Sequence, residues 1–250
     1  MKEYKIKSFE DFVNHIGKYY NNKSIRLYRG QQDDLPLNPK LLRLVNINGR
    51  IDEFYNIEKR VINEFKKLAC TCDAKIKDFN DWDTLAISQH FGLPTRLLDW
   101  TSNPLAALWF AFESEKNNKD DRLVWGLVVE DELLIDIEKD NPFNLRFTKV
   151  FKPKYIDARL NAQNSWFSIH NVNFHGKGGD GLPHFNEVDS INELEEFEGH
   201  LARFLIPNCL ILLYDYKKTF FEISEFVQKP IISYSTTASS YSQVIYLVNI

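Results

Sequence analysis

"QHFGLPTRLLDWTSNPLAALWFAF", residues 89–112, crowds polar side chains against an unbroken apolar run. Gln89, His90, Thr95, Arg96, Asp99, Trp100 and Thr101 fill its first half. Asn103 followed by Pro104 then reads as a helix start, with Asn as the cap and Pro at the first helical position. The helix it opens, 105–112, has no polar face and is expected to be buried on every side, under strands and under a second helix at 51–68. Buried polar groups must be paired. Gln89, His90, Arg96 and Asp99 therefore either hold one another in a buried network or line a ligand cleft.

Upstream, Asn80 or Asp81 caps a short helix that places Trp82, Leu85, Ala86 and Gln89 on one face, with Gly92 and Pro94 as stop signals. Earlier still, residues 25–29 alternate as a strand and set Arg29 on the same face as Ile25 and Leu27. A guanidinium on an apolar face needs acceptors, either a phosphate or carboxylate of a ligand or an internal partner such as Asp99. Arg29 is thus expected to converge with Gln89, His90, Arg96 and Asp99. Ser8 and Asp11 open a helix that runs to about residue 19. Residues 51–68 form an amphipathic helix with Phe54, Ile57, Val61, Ile62, Phe65 and Leu68 in its apolar stripe.

Downstream the pattern turns to strands at 123–129, 133–137 and 145–150, then a helix at 155–163 and a strand at 166–170. Arg159 and Gln163 share a face of that helix. Residues 173–187 read as a loop, 190–197 as a helical turn or two, and the tail from 201 as strand-rich. No internal repeat or linker interrupts this order. The expectation is one α+β domain over residues 1–250, helix-rich in its N-terminal half and strand-rich in its C-terminal half, with a core at about 24–207 and a tail at 208–250.

Composition narrows the function. A formal net charge of -4 offers no global basic field for nucleic acid. No stretch reaches the length of a membrane span and no secretory signal opens the chain, so a cytoplasmic location is expected. The 3 cysteines draw neither a disulfide framework nor a C-x-x-C pattern, and the 6 histidines lack metal-ligand spacing. GKGGDG at 176–181 is no phosphate loop, because Lys177 precedes Gly178 rather than Ser or Thr. No G-x-S-x-G elbow occurs.

Three stretches together, "LYRGQ" (27–31), "LAISQHFGLPTRLLDWTSNPLAALWFAF" (85–112) and "ARLNAQNSWFSIH" (158–170), resemble the FRG domain family, named for an aromatic-Arg-Gly motif. The likeness runs from about Ser24 to Pro207. The motif order is in turn similar to that of the ADP-ribosyltransferase superfamily: an Arg on an early strand, then Ser/Thr before a helix with small and aromatic residues, then a late Glu or Gln. Arg29, residues 95–112 and Gln163 would match these in order.

The resemblance implies a split sheet and NAD as substrate, with no metal. It makes Arg29, His90 and Gln163 catalytic, and Arg29, Gln31, Gln89, Thr95, Arg96, Asp99 and Thr101 cofactor-binding. The implied protein is an intracellular ADP-ribosyltransferase-like enzyme, a bacterial or phage-related toxin or defence effector that takes a nucleotide-type small molecule and a macromolecular acceptor. Gln163 stands where that superfamily usually has Glu. The alternative is therefore a non-catalytic ligand-sensing or protein-interaction module in which the polar cluster is structural.

Overall fold

The strands Ile25–Gln31 (β2) and Arg122–Val129 (β4), the latter a continuous apolar run after Arg122, meet as antiparallel neighbours over seven residue pairs in the middle of a sheet. The other strands are Lys2–Lys5 (β1), Leu97–Thr101 (β3), Lys149–Phe151 (β5), Ser165–Ile169 (β6) and Leu201–Ile206 (β7). They form one 7-stranded mixed sheet in the order β1-β7-β4-β2-β3-β6-β5. The β1–β7 pair is parallel and the rest are antiparallel. The helices are Phe9–Tyr19 (α1), Lys40–Leu44 (α2), Ile51–Ala69 (α3), Asp81–His90 (α4) and Pro104–Phe112 (α5), so the fold is α+β. These statements come from a computed structural model that describes residues 1–19, 24–44, 51–71, 74–113, 121–154, 165–171 and 190–207. The helix expected at 155–163, the loop at 173–187 and the tail beyond 207 lie outside the described residues.

Local chemistry sets the helix starts. Ser8 Oγ accepts from the Asp11 N–H at 3.0 Å, and Asn80 Oδ1 accepts from the Asp83 N–H at 2.8 Å. Asn103 Oδ1 accepts from the Leu105 N–H at 3.0 Å, with Pro104 following as the first helical residue. Each cap satisfies a donor that the first helical turn cannot.

Each strand sends alternate side chains to opposite faces of the sheet. On one face Tyr28, Val124 and Phe204 pack with Phe12 of α1 and with Ala107, Leu108 and Ala111 of α5. Beside them Leu97, Phe151, Phe167 and Ile169 take Trp82, Leu85 and Ala86 of α4. The opposite face buries Leu27, Leu98, Trp100 and Trp125 under Leu37 and the short turns that carry Ile191, Leu194 and Phe197. Two helices thus sit side by side over the same face, α5 above β2 and β4, α4 above β3 and β6.

Gly30 is what lets α5 come so close. A Cβ built there would lie 1.9 Å from the Ala107 carbonyl oxygen and 2.5 Å from the Ala111 nitrogen. Only a residue without a side chain fits.

Several expectations need correction. Helix α3 does not cover α5; it packs through Phe65 and Ala69 against Ile87 of α4 and Leu93. Its inward stripe is Glu58, Ile62, Phe65 and Ala69, all at most 2% exposed, while Ile57 is 42% exposed. The helix is turned so that Glu58 meets the buried Arg96, an attraction between distant segments that an apolar-stripe count omits. Trp109, Phe110 and Phe112 of α5 are only half-buried, because the small Ala106, Ala107 and Ala111 make the contact side.

The strand expected at 133–137 is instead a short helical turn, Asp131–Leu133, and one bridge from Leu134 to Val150. Asp136 stops the chain from extending: its carbonyl accepts from the Asp140 N–H at 2.8 Å and its Oδ1 from the Glu138 N–H at 3.1 Å, a side-chain-assisted turn. The strand expected at 145–150 shrinks to Lys149–Phe151. β1 has no counterpart in the sequence reading.

Candidate functional site

β2 and β3 are joined among the described residues by a single pair, Tyr28 with Thr101, whereas β3 and β6 pair over five. The sheet therefore parts at its middle. A cleft of about 340 Å³ opens at this point. Tyr28, Arg29 and Gly30 of β2 and Asp99, Trp100 and Thr101 of β3 form its floor, with Ser165 and Phe167 from β6 beside them. Gln89 and His90 at the C-terminal end of α4 form one wall, and Phe110 of α5 forms the other. The two helices that share a sheet face thus flank the parting.

Arg29 reaches across the gap. Its Nη1 donates to the Asp99 carbonyl at 2.8 Å and lies 3.8 Å from Asp99 Oδ2. The Arg29 side chain is 20% exposed and the Asp99 side chain 58% exposed. Arg29 Nε is buried and has no partner among the described residues. Burial pulls the Arg29 pKa below its ordinary value, the Asp99 carboxylate pulls it back up, and Arg43 lowers it further. A guanidinium nevertheless remains a cation. The cleft consequently holds one positive and one negative group in close reach.

Gln89 holds Asp99 from the other side, its Nε2 donating to Asp99 Oδ2 at 3.0 Å. Gln89 Oε1 accepts from the Thr95 hydroxyl at 2.6 Å. His90 lines the cleft beside Gln89, its ring edge-on to Phe91 with centroids 5.2 Å apart. Thr101 also lines the cleft, and its Oγ1 accepts from the Asn103 N–H at 3.0 Å, which ties the cleft floor to the start of α5.

Not every candidate residue comes to the cleft. Arg29, Gln89, His90, Asp99 and Thr101 do. Thr95 is fully buried behind Gln89, and Gln31 is occupied by an N–H donated from Trp125. Arg96 lies in a separate interior network and is 1% exposed. Its Nε donates to Glu58 Oε2 at 2.6 Å, Nη1 to the His170 carbonyl at 2.8 Å and Nη2 to the Pro142 carbonyl at 2.9 Å. Every one of those acceptors comes from outside the polar-rich stretch, so Arg96 clamps α3, β3 and the chain after β6 together. Gln163 lies outside the described residues. The aromatic lining, Phe110 and Phe167, was missed by sequence reasoning.

Among the described residues no group of three or more His, Cys, Asp or Glu side chains is placed to hold a metal. No helix among them is long and apolar enough to cross a membrane.

A family model for the FRG domain matches residues 24–120. Residues 24–120 are FRG-like. The match contains β2, α2, α3, α4, β3 and α5, hence both helical walls of the cleft and all of its floor except Ser165 and Phe167. It begins where the sequence likeness begins and stops short of the 158–170 stretch. The FRG signature of this chain, Tyr28-Arg29-Gly30, now has a physical division of labour: the ring packs under α5, the guanidinium spans the parting, and the glycine admits the α5 backbone. No curated protein and no solved structure is significantly similar to the chain.

Proposed function

We propose that the FRG-domain cleft binds a nucleotide, with NAD as the foremost candidate, and supports ADP-ribosyltransferase-like or NAD-glycohydrolase chemistry. The observation that carries this reading is the Asp99 carboxylate, 58% exposed in the cleft and 3.8 Å from the Arg29 guanidinium where the sheet parts. A concave site with aromatic walls and a few convergent polar groups suits a nucleotide. Arg29 would meet the ligand's phosphates. Asp99 would face the ribose.

Cleavage breaks the bond between ribose C1′ and the nicotinamide nitrogen, and the electron pair leaves with nicotinamide. The positive charge left on the ribose is what a fixed carboxylate stabilises. Water or an acceptor nucleophile then bonds to C1′ and releases its proton to solvent. The acid that the 158–170 stretch lacks is thereby supplied by Asp99. Inside a cell, such an activity consumes NAD or modifies an acceptor, as a toxin or defence effector does.

The test combines thermal unfolding with an assay for released nicotinamide. NAD at a hundredfold excess over its dissociation constant should add about 2.7 kcal/mol of stability. Arg29→Ala should abolish that shift, and Asp99→Ala should abolish nicotinamide release. One observation favours a second reading, a ligand-sensing module without turnover: Arg29, Asp99, Gln89 and Thr95 are linked to one another in a chain of hydrogen bonds. A thermal shift without nicotinamide release would decide for it, and no shift with NAD at millimolar concentration would sink the NAD reading.

A further inference from the structure

We infer that Thr95 and Gln89 do not contact ligand chiefly but form a directed hydrogen-bond relay that locks one oxygen of Asp99 and leaves the other facing the cleft. They are positioning residues for that carboxylate. This rests on the reading of Asp99 as the group that works on the ligand.

The direction of the relay follows from the Leu97 peptide units. The Leu97 N–H donates to Thr95 Oγ1 at 3.2 Å, and the Thr95 hydroxyl, buried, donates in turn to Gln89 Oε1 at 2.6 Å. On the other side of the amide, Gln89 Nε2 meets two acceptor oxygens, the Leu97 carbonyl at 3.5 Å and Asp99 Oδ2 at 3.0 Å. Turning the amide over would set its oxygen against both acceptors. The chemistry thus allows one orientation, with the N–H groups toward Asp99.

Asp99 Oδ2 is consequently engaged by Gln89 and neighboured by Arg29 Nη1, while Oδ1 accepts from no described residue. Oδ1 is the atom presented to a ligand. The group it receives is a hydrogen-bond donor or a carbon gaining positive charge, and a phosphate is repelled. Charged and titratable neighbours around this carboxylate are Arg29 of β2 and His90 of α4, with Arg43 of α2 further out beside Arg29. None of these can take over the role of the Gln89 amide, which alone joins Asp99 to the buried Thr95.

The experiment reads the Gln89 side-chain amide by NMR in protein carrying 15N-labelled glutamine, with Gln89→Leu used to assign the signal. Slowly exchanging Gln89 Nε2 protons are expected in the unliganded protein. Thr95→Val should lose that slow exchange, Thr95→Ser should restore it, and Asp99→Ala should shift one proton of the pair while sparing the other. Asp99 is exposed enough that its alanine variant folds even if Thr95→Val does not. In the release assay Thr95→Val should lower kcat with KM held, by on the order of tenfold or more, as misplacement of a reacting group does, and Thr95→Ser should recover it. Unchanged amide signals in Thr95→Val, or no shift in Asp99→Ala, overturn the relay. A wild-type protein that shows the amide signature but releases no nicotinamide removes the proposed activity and leaves the relay standing.

Discussion

Gly30 and Asp83 show how much a single side chain can decide. Any Cβ at position 30 meets the backbone of α5, which cannot swing aside as a flexible side chain can. Gly30→Ala should therefore cost at least the roughly 1–3 kcal/mol of ordinary overpacking, read from the urea midpoint at unchanged slope. Asp83 is 9% exposed in the first turn of α4. Burial raises its pKa, with Lys154 and the Asn80 cap opposing and Glu138 adding to the rise. The fold thus favours the protonated acid, so this contribution to stability is present at pH below the unfolded carboxylate range and is lost as pH climbs through the raised value. Asp83→Asn should be more stable than wild type at neutral pH, with the gap closing in acid. A variant less stable than wild type at pH 7 would refute this.

Among the elements, α5 carries the clearest energetic expectation. Leu108 is 0% exposed between β2, β4 and β7. Leu108→Ala should cost about 2–5 kcal/mol, and a smaller loss by chemical unfolding would mean that the helix is held less tightly than its burial shows. Helix starts were legible in the sequence because their chemistry is local: Ser8, Asn80 and Asn103 each accept from an N–H two or three residues on. β2 was legible through alternation, and β4 as an apolar run at 123–129. β1 was not, because Lys2, Glu3 and Lys5 give it no apolar face and its partner, β7, is supplied by the far end of the described chain. The cleft was half legible. Arg29 stood out as a charge on an apolar strand face, and Gln89 and Asp99 as polar groups beside a buried helix. Arg96 looked the same by residue type, and what separates it is Glu58 from α3. No property of residues 89–112 could reveal that partner.

At the scale of the whole molecule, the family match and the folding unit differ. Residues 24–120 contain β2 and β3 but neither β4, the main partner of β2, nor β6, the main partner of β3. An excised 24–120 segment should accordingly melt without a cooperative transition, as followed by circular dichroism, while the full chain should give a sharp one. A sharp transition in the segment would show that its helices suffice. The parallel pairing of β1 with β7 has a consequence for how the protein is made. Its second strand position from the edge is filled by residues 201–206, so in a nascent chain β1 lacks its sheet neighbour until the whole segment between residues 5 and 201 has been made. Long-range pairings of this kind form late and slowly. During that interval the apolar side chains of β4 and α5 lack their final cover, which makes the growing chain a natural client for chaperones that shield exposed hydrophobic segments.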